Sequence, residues 1–267
     1  MRTLLGILTT SSIAIASSAG AASASVWSWN WTPSAGGGFD VGVSHAAGEI
    51  KSVSATFDTS TLSFSWYATF GAVPGKSKWR TDGFTLAVND GPNPKGHAGE
   101  LALIYFDASR ATPVVSIYGY NGLNSATSYY DGKPTSGTQT PDRILTTKTD
   151  MSWVSDLTNR LNADGTRTLG FTINVKDIKD YTPINLGPQG LSDWFGLGFD
   201  EKIGVWMHPF AKLNTSYNSA GYLTKWNRKR EGYLDGRDFN TVPEPATLGL
   251  VAMTGLLIAR RRRTLSA

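Results

Sequence analysis

The strongest constraint on the fold of this 267-residue chain is a succession of short segments in which apolar and polar residues alternate. Residues 49–57 and 62–66 alternate in this way, and the turn-forming sequence Asp58-Thr59-Ser60 separates them. Because successive side chains of a strand point to opposite faces, the two segments predict a β-hairpin with one buried face. No stretch between the two ends sustains a helical period over ten residues. The sequence therefore predicts an all-β fold, an antiparallel β-sandwich or jelly roll.

The same pattern predicts further strands and two short helical turns. The strands are expected over residues 84–88, 101–106, 114–118, 144–147, 168–175 and 203–207. The helical turns are expected over residues 177–179 and 191–195. Near the start, Trp27, Trp29 and Trp31 fall on one face of a strand, where they would either plug the core or offer a platform for sugar rings.

The N-terminal region has the pattern of a secretory signal peptide. Arg2 precedes an apolar stretch over residues 4–16, and small residues run on to Ser25. Ala22-Ser23-Ala24 is a small-x-small cleavage site, so residues 1–24 are predicted to be the signal peptide. The chain is therefore expected to be exported, with a β-sandwich domain over residues 25–233 and a linker over residues 234–241.

The C-terminal region combines an uncharged run with a basic end. Residues 246–259 carry no charge, and four arginines follow at once: Arg260, Arg261, Arg262 and Arg263. A helix of this length spans about 21 Å, against roughly 30 Å for a bilayer core. The arginines would remain cytoplasmic. The pattern predicts a short transmembrane helix that holds an exported domain at the inner membrane.

Val242, Pro243, Glu244 and Pro245 stand directly before that apolar run. In this order, Pro-Glu-Pro, a short apolar helix and a terminal arginine cluster resemble the PEP-CTERM sorting signal, here over residues 242–264. The resemblance implies an exosortase-type processing enzyme as partner, in a Gram-negative bacterium that makes exopolysaccharide. It also implies a transient C-terminal anchor, followed by release or re-anchoring at the cell surface or outside the cell.

The sorting regions account for the apparent basicity of the chain. The 25 Lys and Arg outnumber the 21 Asp and Glu, but Arg2, Arg260–Arg263 and Glu244 lie in these regions. Without them 20 basic and 20 acidic residues remain, so binding of nucleic acid through a broad basic face is not expected. Cysteine is absent, which excludes disulfides and thiolate chemistry.

No catalytic signature occurs in the chain. Gly-x-Ser-x-Gly, His-Glu-x-x-His and phosphate-binding glycine loops are all missing. The glutamates expected in the folded part, Glu49, Glu100, Glu201 and Glu231, do not form the paired pattern of jelly-roll glucanases. The sequence therefore favours a protein without catalytic activity, although a hydrolase with a carboxylate pair distant in sequence stays open.

The densest polar segment runs from Thr81 to Asp107. Asp82-Gly83-Phe84 resembles the Asp-Gly strand of L-type lectins, and residues 96–99 stand where that family has a glycine-containing binding loop. The resemblance implies a concanavalin-like jelly roll that binds sugar hydroxyls. Rigid loops that display carboxylate, amide and backbone groups also suit polyhydroxylated ligands. The candidate carbohydrate ligands are therefore Asp82, Gly83, Asn89, Asp90, His97 and Gly99. A plain connection rich in turn-forming residues is the alternative.

Asp107 is the candidate metal ligand. Residues 104–107 resemble the metal-binding strand of the same lectins, but Tyr105 stands where the family has a glutamate. No cofactor is expected, with Ca²⁺ at Asp107 as the one possibility kept open.

Together these features predict an exported, exosortase-sorted surface or matrix protein that associates with exopolysaccharide through a lectin-like β-sandwich. A carbohydrate-active hydrolase and a purely structural surface protein are the alternatives.

Overall fold

The computed structural model describes residues 26–33, 43–89, 102–119, 142–181 and 204–236. Their first strands are β1 (Val26–Trp31), β2 (Val43–Ser44), β3 (Ile50–Asp58), β4 (Ser63–Phe70), β5 (Thr81–Asn89), β6 (Ala102–Asp107), β7 (Val114–Gly119), β8 (Arg143–Thr146), β9 (Val154–Leu161) and β10 (Arg167–Asn174). One helical turn, α1 (Lys176–Lys179), precedes β11 (Gly204–Ala211), β12 (Asn214–Tyr217), β13 (Leu223–Asn227), β14 (Arg230–Glu231) and β15 (Tyr233–Gly236).

The strands form two antiparallel sheets and a separate hairpin. The first sheet has five strands in the order β1-β3-β4-β10-β9. The second has eight, ordered β2-β15-β11-β5-β6-β7-β8 with β14 beside β11, and β12 and β13 form the hairpin. The predicted all-β antiparallel sandwich is confirmed.

The main core lies between the two sheets because both turn their apolar alternate residues inward. Phe64 and Trp66 of β4, Phe84 of β5 and Phe106 of β6 are almost fully buried there. Phe84 and Phe106 stack across the strand pair with ring centroids 4.9 Å apart. Trp29 stacks on Trp66 at 6.0 Å, so at this position β1 contributes to the core.

The second sheet is buried on its outer face as well. Tyr105, Tyr118 and Phe210 project to that side, and the hairpin covers them with Leu223 and Trp226. The Trp226 ring meets Tyr105 edge to face at 5.0 Å. The outer face of the first sheet is different, since hydroxyl groups bond across its strands, as Ser65 and Tyr67 do to Thr172.

Strand positions agree with the alternating pattern to within a few residues, except where the pattern is weak. β9 is an edge strand with mostly half-buried residues, and β12 to β15 are short, so none of them was predicted. β15 includes residues 234–236, so the last strand extends into the first three residues of the predicted linker. The predicted turn near residue 178 is present as α1.

Several predictions fall outside the described residues: the signal peptide, the helical turn at 191–195, and the tail with its apolar run. Among the residues that are described, no helix is long and apolar enough to cross a membrane.

Candidate functional site

The residues proposed as one sugar site lie at opposite ends of a strand. Asp82 and Gly83 are near the start of β5, whereas Asn89 is its last residue. At about 3.3 Å per residue, Asp82 and Asn89 are separated by roughly 23 Å. Asp90, His97 and Gly99 are outside the described residues. An extended strand cannot fold its two ends onto one small ligand, so Asp82 and Asn89 do not form one compact site.

Gly83 has a packing role. A Cβ atom at this position would lie 2.4 Å from the Phe106 carbonyl oxygen and 2.9 Å from Leu213 Cδ2. The first of these is a backbone atom of the neighbouring strand, which cannot move aside easily. Close approach of the chain therefore accounts for the glycine in Asp82-Gly83 without any ligand.

Asp107, at the end of β6, is fully buried and holds the hairpin on the sheet. Its Oδ2 accepts hydrogen bonds from Thr215 Oγ1 at 2.6 Å and Tyr217 Oη at 2.7 Å, both on β12. Its Oδ1 accepts from the backbone N–H and the hydroxyl of Ser109 at 2.9 and 2.6 Å. Arg110 Nε lies 3.4 Å from Oδ2. We call this arrangement the Asp107 clasp.

The clasp leaves little room for a calcium ion. A cation at Asp107 would displace hydroxyl and N–H donors that already occupy both carboxylate oxygens. Burial, and then the nearby Asp107 carboxylate, raise the pKa of Tyr217, so its hydroxyl stays a proton donor. Among the described residues, no group of three or more His, Asp or Glu is placed to hold a metal. The donor set at Asp107 fits a structural role better than a metal site.

Asp82 lines a pocket of about 370 Å³ at the same end of the second sheet. The loop before β5 contributes Lys78, Trp79 and Arg80. The other sheet contributes Asn159, Leu161 and Arg167, and Lys212 follows β11. We call this the Asp82 pocket. Of the predicted sugar ligands that the structure describes, Asp82 alone is among the lining residues.

The Asp82 carboxylate is engaged by the protein itself. Its Oδ2 accepts from the backbone N–H groups of Lys212 and Leu213 at 2.7 and 3.3 Å. Its Oδ1 accepts from Arg167 Nη1 at 3.1 Å. Asp82 therefore shapes the pocket, and three of its acceptor positions are already occupied.

Arg167 joins the two sheets at the pocket floor. From β10 it donates to the carbonyls of Thr81 and Ala108 in the second sheet, both at 2.9 Å. Its Nε donates to Asn159 Oδ1 at 2.9 Å. With Asp82 it forms an ion pair whose side chains are 17% and 23% exposed. The sequence offered no signal for this role, because Arg167 follows the turn at Asn162–Gly165 like any exposed residue.

The remaining cations of the pocket carry charge that no described carboxylate balances. Arg80 donates from Nε and Nη1 to the carbonyls of Gly165, Ser77 and Trp79, which are neutral acceptors and leave its charge unpaired. Lys78 and Lys212 form no ion pair with any described carboxylate. The Lys212 ammonium lies 5.3 Å from the centre of the half-buried Trp79 ring.

A second, more open pocket of about 710 Å³ has His45 and Glu49 on its wall. His45 Nδ1 accepts from the Ile50 N–H at 3.0 Å, and Glu49 pairs with Lys51. Glycoside hydrolysis requires two carboxyl groups across one cleft. Among the described lining residues, Glu49 is the single carboxylate of this pocket, and Asp82 is the single carboxylate of the other. Neither set of residues therefore contains the pair that a glycoside hydrolase needs.

The last described strand, β15, ends at the edge of the sheet opposite to the Asp82 pocket. In the last strand, Gly236 pairs with Val205, which in turn pairs with Val88 near the end of β5. Thr81, at the other end of β5, pairs with Ala211, the residue before Lys212. The pocket and Gly236, the last described residue, are thus separated by most of the length of the sheet.

Comparison with known proteins bears on the tail. Residues 241–263 match the family model of the PEP-CTERM protein-sorting motif. No curated protein and no solved structure matches the chain. The chain carries a PEP-CTERM sorting motif behind an all-β sandwich, and this motif marks it as an exported surface protein that an exosortase sorts.

Proposed function

We propose that this protein is a non-catalytic surface or matrix protein that associates with extracellular polysaccharide through the Asp82 pocket. The observation that carries the proposal is the pocket itself, in which a tryptophan and polar side chains meet at one end of a rigid sandwich. Its volume of about 370 Å³ lies in the range of small-ligand sites.

The chemistry of the lining suits a sugar. The half-buried Trp79 ring, with the ammonium groups of Lys76 and Lys212 at 5.8 and 5.3 Å from its centre, supplies an aromatic surface for the C–H face of a pyranose. The Asn159 amide N–H and the lysines offer hydrogen bonds to hydroxyl groups. Loops displayed by a packed scaffold commonly carry binding sites. The sorting motif supports the same function, because it sends the protein to the place where extracellular polysaccharide accumulates.

The position of the pocket also supports the proposal. Gly236 is five residues from the first residue of the motif, a distance that an extended chain spans in about 18 Å. While the tail holds the protein at the membrane, the Gly236 end of the sandwich stays close to the bilayer. The pocket at the opposite end then faces outward.

Affinity electrophoresis of the full-length protein in a non-ionic detergent tests the proposal. Gels would contain a panel of neutral and acidic bacterial polysaccharides, and the measurement is retardation relative to a gel without polymer. We expect retardation by at least one polymer and its loss in Trp79→Ala. Tyr233→Ala is the matched control, since Tyr233 is an exposed aromatic residue outside the pocket. No retardation by any polymer, or equal retardation of Trp79→Ala, would refute the proposal.

A further inference from the structure

We infer that the Asp82 pocket recognises an anionic group of its ligand, the carboxylate of an acidic polysaccharide such as a polyuronate. This inference rests on the proposed function and specifies its ligand class. Among the described residues that line the pocket, four are basic and one, Asp82, is a carboxylate. Since Arg167 pairs with Asp82, the charges of Lys78, Arg80 and Lys212 remain unbalanced among the described residues.

This local excess stands out against the charge of the whole domain. Outside the sorting regions the chain has equal numbers of acidic and basic residues. Three unbalanced cations around one small concavity therefore create a positive potential that the domain does not have on average. Concave sites focus such a field and attract ions of opposite sign.

The backbone conformation of Lys212 also supports recognition of an anionic group. Lys212 has φ of +56°, in the left-handed region where a residue with a Cβ is disfavoured and glycine is not. Leu62 shares this conformation, but its side chain packs against the main core. Lys212 is exposed and has no such packing. A lysine at a strained position on a pocket wall supports a functional role for its ammonium group.

Two contacts hold that ammonium group at the pocket. The Lys212 N–H donates to Asp82 Oδ2 at 2.7 Å, which fixes the backbone, and the side chain extends over the Trp79 ring at 5.3 Å. Asp82 is therefore a positioning residue for Lys212. Lys78, Arg80 and Lys212 are then the groups that would meet a carboxylate while Trp79 contacts the sugar ring.

A polysaccharide fits this pocket better than an anionic membrane surface does. The pocket is concave, whereas a bilayer requires a broad convex or flat basic face. It also lies at the end of the sheet opposite to the residue from which the chain continues to the sorting motif. The same cations would meet a phosphate or sulfate group in a similar way, so the test must separate these anions.

The experiment compares polygalacturonate with its fully methyl-esterified form, which has the same backbone without the charge. Full-length protein in non-ionic detergent is run through gels of each polymer, and through dextran sulfate as a second anion. We expect at least ten-fold stronger retention by polygalacturonate than by the ester, weakening as sodium chloride rises from 20 to about 300 mM, since salt screens exposed charges. Stronger retention by dextran sulfate than by polygalacturonate would overturn the assignment to a carboxylate.

The matched variants have the same loss of charge. Lys78→Gln with Lys212→Gln should reduce retention by polygalacturonate at least ten-fold, while Lys176→Gln with Lys179→Gln, on the exposed turn α1, should change it less than two-fold. Equal losses in both pairs would overturn the inference, because retention would then follow net charge alone. Thermal melts of the unmodified protein and of both double variants establish that they are folded.

The remaining outcomes separate this inference from the proposed function. Equal retention by polygalacturonate and its ester, abolished by Trp79→Ala, would leave polysaccharide binding intact and refute recognition of an anion. Retention by no polymer would refute both. Flotation with vesicles containing phosphatidylglycerol, in the absence of any retention by polygalacturonate, would assign the cations to a lipid surface and refute the inference.

Discussion

Asp82 and Asp107 are two carboxylates at the same end of the second sheet, yet the protein uses them differently. They lie on adjacent strands, where Gly83 pairs with Asp107. The Asp107 side chain is 1% exposed, and its bonds to β12 hold the hairpin. The Asp82 side chain is 23% exposed and borders a pocket. What covers each strand end accounts for the difference: a hairpin over Asp107, and open loops beside Asp82.

The comparison shows that the position of a polar residue at a strand end does not determine its structural role. Both carboxylates accept hydrogen bonds from the protein, so neither is a free ligand group. Asp107 closes a contact that excludes water, whereas Asp82 fixes the wall of a site that water enters. Loss of Asp107 should therefore affect stability most, and loss of Asp82 should affect the pocket as well.

The largest expected effect is that of Asp107→Ala. It leaves the hydroxyls of Thr215 and Tyr217 without their acceptor in a buried place, which should cost roughly 3–5 kcal/mol of unfolding free energy. The midpoint of thermal unfolding should fall by about 10 °C or more. Asp177→Ala, at an exposed position on α1, is the control and should change the midpoint by less than about 1 °C. A fall of under about 2 °C for Asp107→Ala would contradict the clasp.

Asp82→Ala should have a smaller effect, about 1–3 kcal/mol, because solvent can reach the groups that lose their partner. A double-mutant cycle with Arg167→Ala measures their interaction directly. We expect a coupling energy of about 0.5–2 kcal/mol from urea denaturation. Additive losses would show that the ion pair at the pocket floor contributes nothing to stability.

Acid should destabilise the hairpin side of the molecule through Glu231, next to the end of the hairpin. Burial tends to raise the pKa of Glu231, but hydrogen bonds from His208 and Arg228 outweigh it, and the pKa lies below its usual value of 4.5. A carboxyl group with a lowered pKa in the folded state stabilises the fold above pH 4.5, and this contribution is lost as the pH falls through the folded pKa.

Glu231→Gln tests that dependence. The variant should lose about 1 kcal/mol at pH 7 and show a shallower decline in stability between pH 5 and pH 3 than the unmodified protein. Denaturation curves at several pH values measure it. Parallel declines for the two proteins would mean that other groups cause the acid sensitivity.

The smallest effect should be a gain. Lys212→Gly relieves the cost of a left-handed residue, about 1–2 kcal/mol, but adds the flexibility of glycine to the unfolded chain. We expect a net increase of about 0.5–1 kcal/mol, seen as a slightly higher midpoint of thermal unfolding. A decrease would mean that the Lys212 side chain, over Trp79, stabilises the loop more than its backbone strains it.

The alternating pattern predicted the central strands well, because burial of one face leaves a period of two in the sequence. β4 shows it in full, and β3 shows it from Val53 onward, after an irregularity near Ile50. β12 and β13 do not, since each is short and contacts the sheet through few residues. The hairpin that covers the second sheet was therefore missed, and with it the role of Asp107.

The candidate site was predicted in part. Asp82 was identified, but the residues grouped with it were neighbours in sequence, and a strand of nine residues places such neighbours far apart. Arg167 and Lys212 join Asp82 from other elements, over sequence separations that no local pattern records, whereas Trp79 lies three residues before it. The cluster Lys78-Trp79-Arg80, just before Asp82, is the sequence signal that points to the pocket.

By itself the sequence determined the class of fold and the sorting motif. Both the alternation of apolar residues and the ordered terminal motif are patterns of residues that are adjacent in sequence. Tertiary structure decided which polar groups are used internally and which face a pocket. That distinction depends on what packs against each strand end. In an antiparallel sandwich, those neighbours come from distant parts of the chain.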